Sequence, residues 1–478
     1  MSRPVQNVLM VAFHFPPIAA AGTHRTLNFV RQLESRGYRL GVLTTSSFTG
    51  LSLDQELCER VPPQVLVART PHVDPYLLLA RLRKMRTDRN MAVLMPTGIE
   101  DAGPFERSGR LARALDYVSR LFNVPDRYSS WIPLAVARGV AAARQVGAEL
   151  IYSTAPPYSA HVVGLLLARI LELPLVIDLR DPWTLNPFHA NPYASLRGFD
   201  EALERTVVGF ARRVILNTVQ AEAGYRGRYP ELDRFCTINN GIDPELFTGE
   251  SEPVTKNGRL TLLHVGAIYG RRYPRGLLEA LALLRETHRE TYERLVIEQI
   301  GPVDEGERLW KEARRLGVQD HLRLGSPVPH SEAIRRCRKA DGLLLLGPRG
   351  SEPEVQVPSK LFEYLAAGRP ILALARQLGA IASLLEGVDR PHVIVDPNDT
   401  RGIHEGLLRF VALSSESPAA AVAGGRGLER LSYEWLTSLL EAQFHQAVGA
   451  VGADEPPAGA PPTPAPDVPA RASGAEGG

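Results

Sequence analysis

Short, wholly apolar runs alternate with amphipathic stretches along most of the chain. Val8-Leu9-Met10-Val11-Ala12-Phe13 has no polar interruption and reads as a buried strand. A Pro/Ala/Gly loop follows through Gly22, and Thr23 stands where a helix N-cap belongs. Leu27, Val30 and Leu33 then recur at helical spacing, Gly37 stops the helix, and Tyr38–Thr44 reads as a second strand. This is a βαβ unit, whose short connections require parallel strands.

After a less regular region the alternation resumes. Strands are predicted over Leu150–Thr154, Leu175–Leu179, Arg213–Asn217 and Cys236–Asn239, with helices over Ser159–Leu171 and around Ala221–Arg228. A polar stretch over residues 249–259 has linker composition. Beyond it come strands Leu260–Val265, Leu295–Ile300, His321–Leu324, Gly342–Leu346, Pro370–Leu374 and His392–Val395, with helical patterns such as Ser359–Ala367 between them. The expected fold class is therefore α/β, with two Rossmann-like parallel-sheet domains over residues 1–248 and 260–429 facing a cleft. A last amphipathic helix, Tyr433–Val448 within 430–448, follows the second domain. Residues 449–478 are Pro, Ala and Gly with almost no large apolar side chain, the composition of a disordered tail.

Composition narrows the function classes. The 478 residues carry 55 basic and 53 acidic side chains, so no broad electropositive field exists and nucleic acid is not an expected partner. Cys58, Cys236 and Cys337 lie far apart and form neither a disulfide framework nor a zinc pattern; reduced thiols in or near cores are expected. The best apolar stretch, Val162–Ile177, contains Arg169, Glu172 and Pro174 and falls short of a membrane span. The N-terminus imitates a signal peptide, but its apolar run is short and ends in Phe15-Pro16-Pro17, so a first buried strand fits better. The expected location is the cytoplasm. Leu77–Arg89 and Arg107–Arg120 concentrate arginines among leucines at helical spacing. A solvated basic face and a peripheral contact with the inner membrane fit that pattern equally.

In open parallel sheets, ligands bind beyond the C-terminal strand ends, near helix N-termini. Four motifs lie there. Phe15-Pro16-Pro17 through Gly22 to Arg25 follows the first strand; it is either a tight turn or a small-residue loop that admits a phosphate or sugar. Asp178-Leu179-Arg180-Asp181-Pro182-Trp183 closes another strand, where an internal Arg–Asp salt bridge and a phosphate-binding arginine are both open. Asn239-Asn240-Gly241-Ile242-Asp243 supplies a turn before the linker. Pro358-Ser359-Lys360-Leu361-Phe362-Glu363-Tyr364-Leu365-Ala366-Ala367-Gly368 opens a helix. Ser359 or its predecessor caps it, Lys360 adds a cation to the positive dipole end, and Glu363 can accept from ribose hydroxyls one turn in. An ordinary amphipathic helix would tolerate the same residues.

The order of these motifs resembles glycosyltransferase family 4, of the bacterial exopolysaccharide and lipopolysaccharide type. The resemblance implies the two-Rossmann GT-B architecture, with the C-terminal helix crossing back to the N-terminal domain. It implies a retaining enzyme that moves a sugar from a nucleotide diphosphate sugar to a hydroxyl of a glycan or lipid-linked acceptor. The implied catalytic residues are Arg272, Lys360 and Asp181. Gly22, Gly266, Arg271, Glu354, Ser359 and Glu363 fall on the donor side, and Arg25 and Arg180 on the acceptor side. No D-x-D occurs, so neither metal nor other cofactor is expected, and side-chain cations replace the ion at the leaving diphosphate.

Three departures stand out. Ala267 occupies a usual basic position, Val355 the place of a usual glutamate with Glu354 beside it, and Ser153-Thr154-Ala155 lacks the family's histidine, with His161 on the next helix. Val355 and the missing histidine motivate a rival reading, a non-catalytic nucleotide- or glycan-binding scaffold, against which the Lys360–Glu363 pair weighs. A nucleotide-sugar epimerase is a third.

Overall fold

The computed structural model describes residues 5–72, 117, 120, 121, 123–186, 193–243, 259–350, 354–416 and 426–449. Most of the arginine-rich stretch, the linker over 249–258 and the tail from 450 onward lie outside them.

The N-terminal sheet contains β1 (Asn7–Ala12), β2 (Arg39–Thr45), β3 (Leu66–Thr70), β4 (Leu150–Ala155), β5 (Leu175–Leu179), β6 (Arg213–Leu216) and β7 (Phe235–Thr237). Its spatial order is β3-β2-β1-β4-β5-β6-β7, and every pairing is parallel. The connecting helices include α1 (Ala21–Ser35), α2 (Ile132–Val146), α3 (Ser159–Leu171), α4 (Ala194–Phe210) and α5 (Val219–Arg228). The second sheet contains β8 (Leu260–Val265), β9 (Leu295–Ile300), β10 (Leu322–Gly325), β11 (Gly342–Leu346), β12 (Ile371–Leu374) and β13 (His392–Val395), in the order β10-β9-β8-β11-β12-β13 and again parallel. Around it lie α6 (Arg275–Thr287), α7 (Gly306–Leu316), α8 (His330–Lys339), α9 (Lys360–Ala367), α10 (Ala380–Glu386) and α11 (Thr400–Glu416).

Both faces of each sheet are covered, which explains the unbroken apolar runs. In β1, Leu9 and Val11 enter one cluster with Trp131 and Val163, while Val8 and Met10 enter another with Leu27 and Val30. Strand order reverses between β1 and β4 and between β8 and β11, opening a crevice at the C-terminal end of each sheet.

The last helix, α12 (Tyr433–Val448), completes the N-terminal core. Tyr433, Leu436, Leu440 and Phe444 are buried with Val8, Met10, Phe29 and Tyr152. Burying a large apolar side chain is worth about 1.5–3 kcal/mol, so this crossing is a substantial part of the domain's stability. Arg36 pairs with Glu441, and the Arg213 Nε donates to Gln443 at 2.7 Å. The Ile242 amide donates to the Leu431 carbonyl at 2.7 Å, tying the two interdomain passages together.

Three local expectations are corrected. The edge strand β3 is absent from the sequence reading; only Ala68 and Thr70 of it are buried, so it lacks a full apolar run. Thr23 is not the cap of α1: the helix starts at Ala21 and Thr23 lies inside its first turn. Cys58 is exposed rather than in a core, although Cys337 is buried and no described cysteine is paired. No helix of the described residues is long and apolar enough to cross a membrane.

Candidate functional site

The clearest constellation lies where β8 ends against the start of α9. Gly266 follows β8 with φ +120°, a conformation that favours glycine, and a Cβ there would collide with the Lys360 Nζ. The second residue to sit here is His264, buried at the end of β8. Its Nδ1 lies 2.8 Å from the Leu344 carbonyl, which can only accept, so Nδ1 carries the proton. The bare Nε2 then faces the Lys360 Nζ at 3.4 Å. Burial, with Arg272 nearby, pushes the Lys360 ammonium down to about 8. Burial and the Lys360 charge keep His264 far below its ordinary range, hence neutral.

Arg272 sits at the end of a short 3-10 turn, Gly270–Arg272, and its guanidinium donates to the Tyr269 hydroxyl at 2.7 Å. Among the described residues, neither Arg272 nor Lys360 forms a salt bridge with a carboxylate. Two neighbouring cations, one of them desolvated, are electrostatically incomplete without an anion. Arg271 is exposed, and its backbone carbonyl accepts from the Arg349 amide at 2.9 Å.

Glu363 points from the first turn of α9 toward the N-terminal domain. It accepts from the His330 Nε2 at 2.9 Å. Burial would raise its carboxyl, but the His330 bond and the charges of His330, His24 and Lys360 hold it below the ordinary value. Ser359 precedes the helix with no side-chain cap bond. It lines a pocket of about 50 Å³ with Asn28, Asn240, His24, His330 and Glu363.

The N-terminal domain supplies the facing wall. Arg180, after β5, lies over Gly22 at the start of α1, where any Cβ would strike the guanidinium. Its NH1 donates to the Thr154 Oγ1 at 2.7 Å and its NH2 to the Pro156 carbonyl. Burial raises the Asp181 carboxyl against the opposing charges of Arg180 and, from the other domain, Arg272. His14, after β1, is pushed down to about 3 by burial, then by Arg180 and Arg127. The structure thus brings Gly22 against Arg180 on one side and Gly266 against Lys360 on the other, with Asp181 feeling the Arg272 charge between the two domains.

Two residues predicted for the site do other work. Arg25 is buried and is not on an acceptor surface. Its Nε and NH2 grip Asp178 at 2.9 and 2.8 Å, and the remaining donors reach the Ile238 and Asn239 carbonyls at 2.9 and 2.6 Å. The internal salt bridge of the second motif therefore forms from Asp178 to the first motif, leaving Arg180 and Asp181 at the crevice. Glu354 is engaged by the protein's own backbone. Its Oε1 accepts from the Ile381 amide at 3.1 Å, at the start of α10, while the Val355 carbonyl accepts from the Thr218 hydroxyl at 2.7 Å. The loop is consumed by a helix cap and a domain contact. Glu354→Ala should lower the melting temperature, costing about 0.5–2 kcal/mol as for other lost caps, with no selective fall in turnover. Thermal melts beside steady-state kinetics check this.

Sequence reasoning missed His14, His24 and His330. Each is a lone histidine with no spacing to any other ligand, and only the fold sets His14 near Arg180 and His24 against His330. His161 is a core residue, buried and bonded to Ser153 at 2.8 Å.

No protein-family model matches the chain. Two curated relatives are D-inositol 3-phosphate glycosyltransferases 1 and 2 of Catenulispora acidiphila. The first is 27% identical over 303 residues, 55% of this chain and 71% of the relative. The second is 33% identical over 233 residues, 45% of this chain and 51% of the relative. The chain thus spans about half the length of the more identical one. Among solved structures, sucrose-phosphate synthase of Thermosynechococcus elongatus superposes with TM-score 0.60 at 16% identity, covering 93% of this chain and 100% of that one. HepE of Anabaena, solved with UDP and glucose, superposes with TM-score 0.56 at 16% identity over the same shares. These likenesses establish the GT-B fold.

Proposed function

We propose that this chain is a retaining glycosyltransferase that binds a nucleotide diphosphate sugar and transfers its sugar to a hydroxyl of a glycan or lipid-linked acceptor. The observation that carries the reading is Lys360 over Gly266 with Arg272 beside it, two cations without a carboxylate salt bridge among the described residues, at the mouth of a Rossmann-like sheet. The glycosyltransferase names of the relatives and the UDP bound by HepE support it.

Lys360 and Arg272 grip the diphosphate, and Glu363 accepts from the ribose. The bond from the anomeric carbon to the leaving phosphate oxygen breaks as the acceptor oxygen bonds to the same face. The acceptor proton passes to the departing phosphate, whose growing charge the two cations stabilise. Arg180 and Asp181 line the acceptor side, and Gly22 allows the substrate close to backbone.

Incubation with a panel of nucleotide diphosphate sugars should release nucleoside diphosphate slowly without acceptor and faster with it, and nuclear magnetic resonance should find the donor's anomeric configuration in the product. Nucleotide binding without hydrolysis or transfer would favour the scaffold reading, which the employment of Glu354 as a cap supports. Because side chains supply the cations, EDTA should leave transfer nearly unchanged. Loss restored by magnesium or manganese would place a metal in the reaction.

A further inference from the structure

Glu363 reaches the interdomain pocket with one oxygen already engaged. Its Oε1 accepts from His330, which opens α8, whereas Oε2 accepts no hydrogen bond among the described residues. A histidine in the first turn of a helix has solvent available to it; this one instead turns inward onto a carboxylate from another helix. Its ring is then met from the opposite domain. His24, on α1, lies with its centroid 4.8 Å from that of His330, the planes tilted by 39°. The series α1, His24, His330, Glu363 is continuous only while the two domains are apposed.

We propose that His330 is a positioning residue that sets the Glu363 carboxylate for the donor's ribose, and that the N-terminal domain sets His330 through His24. The inference rests on the nucleotide-sugar reading above. A carboxylate free to rotate must be ordered by its ligand, and that ordering is subtracted from affinity. Here His330 takes Oε1 and leaves Oε2 to accept from vicinal hydroxyls. The charges suit the arrangement. Burial, then the His330 charge, pushes His24 down to about 4, so a neutral ring meets His330. Burial would lower His330 too, but its bond to Glu363 and that residue's charge raise it. Arg60, Asp54 and Asp243 are the other charged groups facing the two rings. A ribose grip completed across the cleft couples donor binding to domain apposition, although no N-terminal residue need touch the ribose.

The test compares affinities by calorimetry on the full chain. The probe is whichever of UDP, GDP and ADP the wild type binds most tightly, beside its 2′,3′-dideoxy form. Wild type should prefer the ribonucleotide by about tenfold or more, the value of a charge-assisted hydrogen bond. His330→Ala should bring that preference near unity while leaving the dideoxy affinity largely intact. His330→Gln, which retains a donor at similar reach, should restore most of it, and His24→Ala should reduce it partially. A preference unchanged in a folded His330→Ala, or lost equally in His330→Gln and His330→Ala, would overturn the assignment. Equal binding of both forms by wild type would also overturn it, while leaving the diphosphate grip standing if Lys360→Ala still weakens both. Failure of all three nucleotides to bind would remove the parent reading itself.

Discussion

Arg25→Ala should destabilise the N-terminal domain by about 3–5 kcal/mol, the cost of leaving one member of a buried ion pair without its partner. For a domain of this size that corresponds to a fall of roughly 6–20 °C in melting temperature. Asp178 is fully buried and accepts from Arg25 twice, from the Tyr152 hydroxyl at 2.7 Å and from the Thr154 hydroxyl at 2.8 Å. Removing the guanidinium leaves a charge that two hydroxyls cannot neutralise. Burial alone would raise the Asp178 carboxyl; the Arg25 charge and the bonds from Arg25 and Tyr152 hold it below its ordinary value. Its contribution to stability is therefore present above the ordinary aspartate pKa and is lost as pH falls through the depressed one. Without Arg25 the depression weakens, and acid unfolding should begin at higher pH. Calorimetric melts of wild type, Arg25→Ala, Asp178→Asn and the double variant would measure this. A double variant no better than Arg25→Ala would show that the unpaired charge is not the cause.

Lys360→Ala should weaken nucleoside diphosphate binding by roughly ten- to a hundredfold while changing nucleoside binding little, since a hydrogen bond to a charged group is worth about 1.5–3 kcal/mol. The pH dependence gives a second signature. With Lys360 brought down to about 8, the empty site loses its ammonium charge as pH rises through that value. Diphosphate affinity should fall there, and Lys360→Arg should remove the inflection because guanidinium remains charged. Calorimetry against nucleoside and nucleoside diphosphate between pH 6.5 and 9.5 (roughly the span over which such a lysine changes charge) checks both. Equal losses for the two ligands would take Lys360 out of the phosphate site.

How much of this was legible in the sequence depended on the range of the cause. A wholly apolar run such as Gly342–Leu346 states its burial locally, and the structure reproduces its bounds. β3 does not, because an edge strand is covered on fewer sides and its sequence can stay mixed. The Lys360 motif was readable as a helix start and Gly266 came only through the resemblance; their meeting across 94 positions follows from strand order, not from spacing. Arg25 was misplaced for the same reason: its partner lies 153 residues on, and no local pattern distinguishes an arginine aimed inward from one aimed at a ligand. Glu354 was read as a replacement for the carboxylate missing at Val355. The amide of Ile381, 27 residues away, had a prior claim on it.

The return of α12 to the first domain imposes an order on biosynthesis. Val8, Met10 and Phe29 leave the ribosome early, yet part of their cover, Leu440 and Phe444, is made more than 400 positions later. The second domain closes its own apolar clusters without residues from α12. The domain translated first is therefore the one completed last, and a nascent chain carries an open apolar groove on its first sheet until α12 emerges. A ribosome stalled before Tyr433 would leave the groove uncovered.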